Sequence, residues 1–145
     1  MNFDYIFHAS GTGTTQADLV CGQIMNHDEL KIVGISIARK CPYGRNVVID
    51  SVKKYLGNRF TDDEIEDKLN FIDTYIGDGY GQSNNEIKEQ IYEYMIKYGI
   101  PLDSTYTAKA IVGMKKYLKE NSIENKKILF IHTGGTPLFF DYLGG

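Results

Sequence analysis

A short, apolar, β-prone segment, Tyr5-Ile6-Phe7, runs directly into Ser10-Gly11-Thr12-Gly13-Thr14-Thr15, and nothing else in the chain constrains the fold as strongly. From Thr15 onward Ala17, Val20, Cys21 and Ile24 recur at helical spacing, which predicts a helix that starts at the glycine loop and buries that face. The continuous apolar run from Ile32 to Ile37 has the doubly buried character of a parallel-sheet strand, and the helix before it supplies the crossover such pairing needs. The order of strand, loop, helix and strand is a βαβ unit.

The same alternation continues. A helix is predicted from Tyr43 to Arg59 with Val48, Val52 and Tyr55 near one face, and Thr61 followed by Glu64 reads as a capping box for the next helix. Residues Phe71 to Tyr75 are strand-like, after which the glycines of Gly77-Asp78-Gly79-Tyr80-Gly81 force a loop. Ser83 with Glu86 suggests a second capping box, opening a helix with Ile87, Ile91, Met95 and Tyr98 on one face and Gly99 at its end. A further helix from about Thr107 to Leu118 turns Ala110, Ile111, Met114 and Leu118 inward, a strand follows at Ile128 to Ile131, and Thr133-Gly134-Gly135-Thr136-Pro137 makes a sharp turn. Helices alternating with buried strands predict an α/β fold: an open, mainly parallel sheet with helices on both faces, whose ligands bind beyond the carboxyl ends of the strands.

Composition narrows the function classes. The 145 residues fit one compact domain, 1–145, and the 42% hydrophobic and 24% charged content is ordinary for a soluble globular chain, so neither disorder nor a fibrous class is expected. A net charge of -3 without a Lys/Arg cluster argues against a nucleic-acid partner. Cys21 and Cys41 stand apart with no clustered histidines, which predicts reduced thiols and no metal site. No apolar run reaches membrane-spanning length and no leader pattern opens the chain, so a cytoplasmic location is expected and a membrane partner is not.

Two of the predicted loops carry chemistry. Glycine in the Ser10 to Thr15 loop allows close approach, and successive backbone N–H groups at a helix start suit a phosphate dianion, with Ser10, Thr12, Thr14 and Thr15 as further hydroxyl donors. The same glycines would serve equally well in a plain strand-to-helix turn. Thr133, flanked by glycines that leave room for a flat ligand, offers a hydroxyl to a ring nitrogen, although it also suits a simple strand-ending turn. Tyr80 and Tyr106 are candidate site residues whose plain reading is half-buried packing. His8, His27 and His132 show no partner spacing and are read as structural or surface residues.

Five segments in order, FHASGTGTTQADL, IVGISIAR, YIGDGYG, LDSTYTAKAIVGM and ILFIHTGGTP, resemble the C-terminal portion of the D-cysteine desulfhydrase and 1-aminocyclopropane-1-carboxylate deaminase family of pyridoxal 5'-phosphate (PLP) enzymes. The resemblance implies a fold type II architecture, of which this chain would be the incomplete larger domain, and PLP as cofactor. It implies that the backbone of Gly11, Thr12, Gly13, Thr14 and Thr15 binds the cofactor phosphate. Tyr80 and Tyr106 would flank the ring and a small amino-acid substrate as catalytic residues, with Thr133 facing the pyridine nitrogen. Tyr106-Thr107-Ala108-Lys109 lacks the carboxylate expected of a deaminase, which tilts the implied chemistry toward a desulfhydrase-like lyase releasing sulfide, ammonia and pyruvate.

Two departures accompany the resemblance. Asp18 replaces a glycine usual in the family and is expected to alter close packing of the first helix. The lysine that forms the Schiff base with the cofactor belongs to the family's N-terminal part and has no counterpart here, while Lys109 and the other lysines read as solvated helix or surface residues. The chain is therefore expected to be inactive alone and to require an N-terminal half, with a homodimer as another possible association. A Rossmann-like nucleotide module is the competing reading, weakened by the missing third glycine and by Ala38-Arg39 where an acidic ribose ligand would stand. A noncatalytic interaction domain is a third.

Overall fold

The computed structural model describes residues 2–77, 81 and 83–143. Four strands, β1 (Tyr5–Ser10), β2 (Lys31–Ser36), β3 (Asn70–Ile72) and β4 (Ile128–Ile131), form one sheet in the order β3-β2-β1-β4. All three pairings are parallel, with Phe7 level with Val33 on one side and with Phe130 on the other. The helices are α1 (Thr14–Asn26), α2 (Tyr43–Leu56), α3 (Asp62–Lys68), α4 (Asn85–Tyr98), α5 (Thr107–Glu120) and α6 (Thr136–Leu143), with a 3₁₀ turn at Gly57–Arg59.

Because successive strand residues point to opposite faces, β1 and β2 feed two cores. Ile6 and Ile32 face α1, α2 and α3, where Val20, Val48, Val52, Leu56 and Ile65 are buried. Phe7, Ala9, Val33 and Ile35 face α5, packing on Ala110 and Met114. Helix α4 lies behind α5, pressing Ile87 and Ile91 against Ile111 and Val112. Fully burying a Phe, Val or Ile side chain contributes roughly 1.5–3 kcal/mol, so Phe7, Val33 and Ile35, each 0% exposed, anchor the sheet to α5.

The expected α/β architecture with helices on both faces is present, and the departures from expectation are local. The helix starting at Tyr43 leaves α geometry at Gly57, whose φ of 61° and ψ of -147° no other residue type adopts easily, and Tyr55 faces outward. The Thr61 and Glu64 capping box forms as expected, each side chain bonding the other residue's backbone N–H. The second box does not: Asn84, extended at φ -124°, caps α4 by accepting from the Ile87 N–H at 3.0 Å, in place of Ser83. Met95 and Tyr98 are exposed because α4 touches the body of the protein only along a narrow stripe through Ile87 and Ile91. The strand at Phe71 is short, and the chain turns at Thr74 and Tyr75.

Candidate functional site

The strand order places the site. From β1 the chain moves sideways to β2 and β3, then returns so that β4 lies on the far side of β1. Loops leaving the carboxyl ends of β1 and β4 therefore diverge, and in open α/β sheets this reversal opens a ligand crevice. A cavity of about 300 Å³ lies there, lined by Gly11, Thr12 and Thr15 from the first loop, Thr133 to Gly135 from the second, and Tyr106 from the start of α5.

The first loop is shaped by Gly13, which adopts φ 95°, ψ -9° immediately before α1. No side chain caps this helix start, and its first turn carries no acidic residue. The early backbone N–H groups of α1 are thus left facing outward with the positive end of the helix dipole behind them. Arg39, just past β2, donates from Nη1 to the Thr12 carbonyl at 2.6 Å and so ties a cation to the loop. Beneath it, Ser10 donates to Gln16 Oε1 at 3.0 Å and the Gln16 amide donates to the Asn70 carbonyl at 2.8 Å. This buried bridge ties β1, α1 and β3, and it rests on Gly34, where a Cβ would overlap the Gln16 amide. Ser10 is consequently buried and engaged, so its expected role as a hydroxyl donor to an anion does not hold, whereas Thr12 and Thr15 are exposed at the cavity.

Tyr106 and Thr133, distant in sequence, meet the glycine loop as expected: a Cβ on Gly11 would lie 3.7 Å from Tyr106 Cε1. Gly134 and Gly135 adopt φ of 121° and 88°, turning the chain from β4 into α6. Tyr80, the other predicted site residue, lies outside the described residues. Thr107 is wholly buried and its hydroxyl is turned inward to Asp103. His8 is buried in β1 with Nδ1 bonded to the Ala9 carbonyl, His27 ends α1 in a left-handed turn, and His132 bonds the Pro101 carbonyl at 2.9 Å, so all three are structural.

Lys109 is a correction. It is 2% exposed, because α5 is sandwiched between the sheet and α4 and every residue from Thr107 to Met114 is buried. It lines a separate cavity with Tyr75, Ile87 and Val112. No lysine lines the crevice between the β1 and β4 loops among the described residues. Asp18 is exposed on α1, so the carboxylate points to solvent and does not disturb helix packing.

A family model described as pyridoxal-phosphate dependent enzyme matches residues 1–134. The chain belongs to this family of PLP-dependent enzymes. It is 32% identical over 144 residues to a Pyrococcus furiosus protein provisionally named as a 1-aminocyclopropane-1-carboxylate deaminase, and 30% identical over 141 residues to a D-cysteine desulfhydrase of Serratia proteamaculans. These alignments take in 98% and 97% of this chain but 42% of each relative. A crystal structure of an ACC deaminase homologue superposes with a TM-score of 0.82 at 29% identity, covering 98% of this chain and 42% of that one. The chain thus spans less than half the length of these relatives.

The crevice suits the family's cofactor. Uncapped amides at the start of α1 match a phosphate, and Gly134 and Gly135 leave room on the facing wall beside Thr133. Tyr106 and Thr133 line the same cavity beside the glycine loop.

Proposed function

We propose that this chain forms the phosphate-holding portion of a PLP-dependent amino-acid lyase of D-cysteine desulfhydrase type, and that the amine for covalent chemistry comes from a part of the fold outside these 145 residues. The carrying observation is the crevice between β1 and β4, which brings the uncapped start of α1, Tyr106 and Thr133 together with no lysine among its described lining residues. PLP, when bound, supplies an electron sink that weakens bonds around the α-carbon of an amino acid. Gly11 to Thr15 would hold the phosphate by backbone N–H groups and fix the ring's distance from the sheet. Thr133 would present a hydroxyl to the ring nitrogen, a weaker stabiliser of a ring proton than a carboxylate, which favours β-elimination over fuller carbanion chemistry. Tyr106 would cover one side of the ring and exclude water.

Thr107 bears on the choice between the two activities named among the relatives. No carboxylate stands at this position, and its hydroxyl is spent on Asp103, so α5 brings no acidic group to the crevice from here. This supports a desulfhydrase-like over a deaminase-like reaction, with a small D-amino acid carrying a β-thiol as substrate.

The test is sulfide release from D-cysteine by the purified chain with added PLP, followed by borohydride reduction and peptide mapping. The expected result is saturable PLP binding, no sulfide, and only scattered modification of surface lysines. Turnover with one trapped lysine, lost when that lysine is changed to alanine, would overturn the proposal that the amine comes from elsewhere. Failure of either PLP or inorganic phosphate to bind would overturn the assignment of the cradle.

A further inference from the structure

We propose that Asp103 is the positioning residue of this crevice: a wholly buried carboxylate that fixes Tyr106 and the glycine turn after β4 in one arrangement, and so sets the space available to a ring ligand. This rests on the cofactor reading above, and neither the motifs of the sequence nor its resemblances single Asp103 out.

Asp103 is 0% exposed and lies in the segment leading into α5. Its Oδ2 accepts from the Thr105 and Tyr106 N–H groups at 2.8 and 2.7 Å. Its Oδ1 accepts from the Thr107 N–H at 2.9 Å and from the Thr107 hydroxyl at 2.7 Å. In return the Asp103 N–H donates to Thr107 Oγ1 at 2.9 Å. Four donors on two oxygens compensate the burial of a carboxylate, which is otherwise costly, and they use the orphan amides of the α5 start that no other side chain caps. The backbone of Tyr106 is thereby pinned directly.

The same carboxylate faces the opposite wall. At Gly135, with φ 88°, a Cβ would come within 2.7 Å of Asp103 Cγ, so the β4 to α6 turn packs backbone against carboxylate with no room for a side chain. A second tie lies nearby, where His132 bonds the Pro101 carbonyl at 2.9 Å and accepts from the Gly134 N–H at 3.4 Å. Tyr106 and the Thr133 to Gly135 turn are thus held to one another through Asp103 and His132, while the phosphate loop is organised separately through Gln16 and Arg39. Disturbing Asp103 should change the ring-facing half of the crevice and leave the phosphate-facing half intact.

Asp103→Asn keeps the size but turns one acceptor oxygen into an NH₂ group that must face backbone N–H donors. The probes are inorganic phosphate and 4-deoxypyridoxine 5'-phosphate, a ring ligand with no aldehyde and hence no imine formation. In the full chain the variant should bind phosphate as the parent does and bind the ring ligand about tenfold more weakly, the scale of leaving one or two buried N–H groups unsatisfied. Amide hydrogen exchange in the ligand-free chain should accelerate at Tyr106, Thr107 and Gly135 and stay unchanged at Val48 and Val52. If Asp103→Asn does not fold, Thr107→Val removes the partner hydroxyl and should show the same pattern to a smaller degree, with Thr107→Ser restoring parent behaviour. Equal weakening of both ligands, or unchanged ring binding together with unchanged exchange at Tyr106, would overturn the proposal. If the parent chain binds neither ligand, the cradle assignment fails, and the exchange pattern alone decides whether Asp103 couples the two walls.

Discussion

Two glycines at opposite ends of reasoning sit in and beside the same helix. Gly13 holds φ 95° before α1, and a Cβ built on it would stand 2.9 Å from Val48 Cγ2, a side chain 1% exposed in the core shared by α1 and α2. Alanine there faces the cost of a left-handed backbone, roughly 1–2 kcal/mol. Crowding against a core residue that cannot swing aside adds about 1–3 kcal/mol. Gly22 lies inside α1 with nothing near its missing Cβ, so alanine there should stabilise by about 0.8–1 kcal/mol through helix propensity alone. The same substitution thus has opposite signs at the two sites. Gly13→Ala should lower Tm by on the order of 10 °C, and Gly22→Ala should raise it by a few degrees. Thermal unfolding followed by circular dichroism measures both, and phosphate titration of folded Gly13→Ala reports whether the loop still presents its amides. A Gly13→Ala variant as stable as the parent would refute the strained-loop argument, and a destabilised Gly22→Ala would refute the open-space argument.

Thr61→Ala removes the side-chain half of the α3 capping box, leaving the Thr61 backbone N–H bonded to Glu64, and should cost about 1 kcal/mol in urea unfolding, while Ser83→Ala, at a position that does not cap α4, should leave stability unchanged. His8 gives a pH dependence: burial holds its imidazole below the ordinary value of 6.5, so only the unfolded chain takes up the proton as pH falls through that value. His8 therefore contributes its full stability above about pH 6.5 and progressively less below it, and His8→Gln should flatten the fall in unfolding midpoint between pH 7 and pH 5. An identical slope in parent and variant would remove this account.

The parts of the fold legible in the sequence are those where one local rule has no competitor. Ala17, Val20, Cys21 and Ile24 make a clean helical stripe because α1 has one buried face, and Ile32 to Ile37 reads as a strand because β2 is covered on both sides. The same rules misplace residues in elements with unusual surroundings. Lys109 reads as solvated under a one-faced helix, but α5 lies between two layers and buries its polar positions as well. Met95 and Tyr98 read as core, yet α4 is an outer layer that docks through Ile87 and Ile91 with Tyr94 beside them. Gln16 and Asp103 are not legible in the sequence for a related reason. Each is a polar residue at a helix start, a position normally explained by capping or solvent, and its burial depends on tertiary partners such as Asn70 and the Gly135 turn.

The proposed division of the site between backbone and side chain accounts for a phosphate loop being legible in the sequence while an amine is not. A phosphate is held by N–H groups that every residue possesses, so the cradle requires only a strand end, a left-handed glycine and a helix start, all of which β1, Gly13 and α1 provide locally. Thr12, Thr14 and Thr15 can vary without dismantling it, and Asp18 is harmless because it faces solvent. Covalent chemistry has no such latitude, since it needs one amine at one place against the ring. Lys109 lines a different cavity, and bringing it to the crevice would require α5 to rotate on the sheet and expose Ala110 and Met114. At roughly 0.8 kcal/mol per re-exposed methylene equivalent, such a rotation competes with the whole stability of a domain this size. The structure therefore commits α5 to packing and keeps Lys109 away from the crevice between β1 and β4.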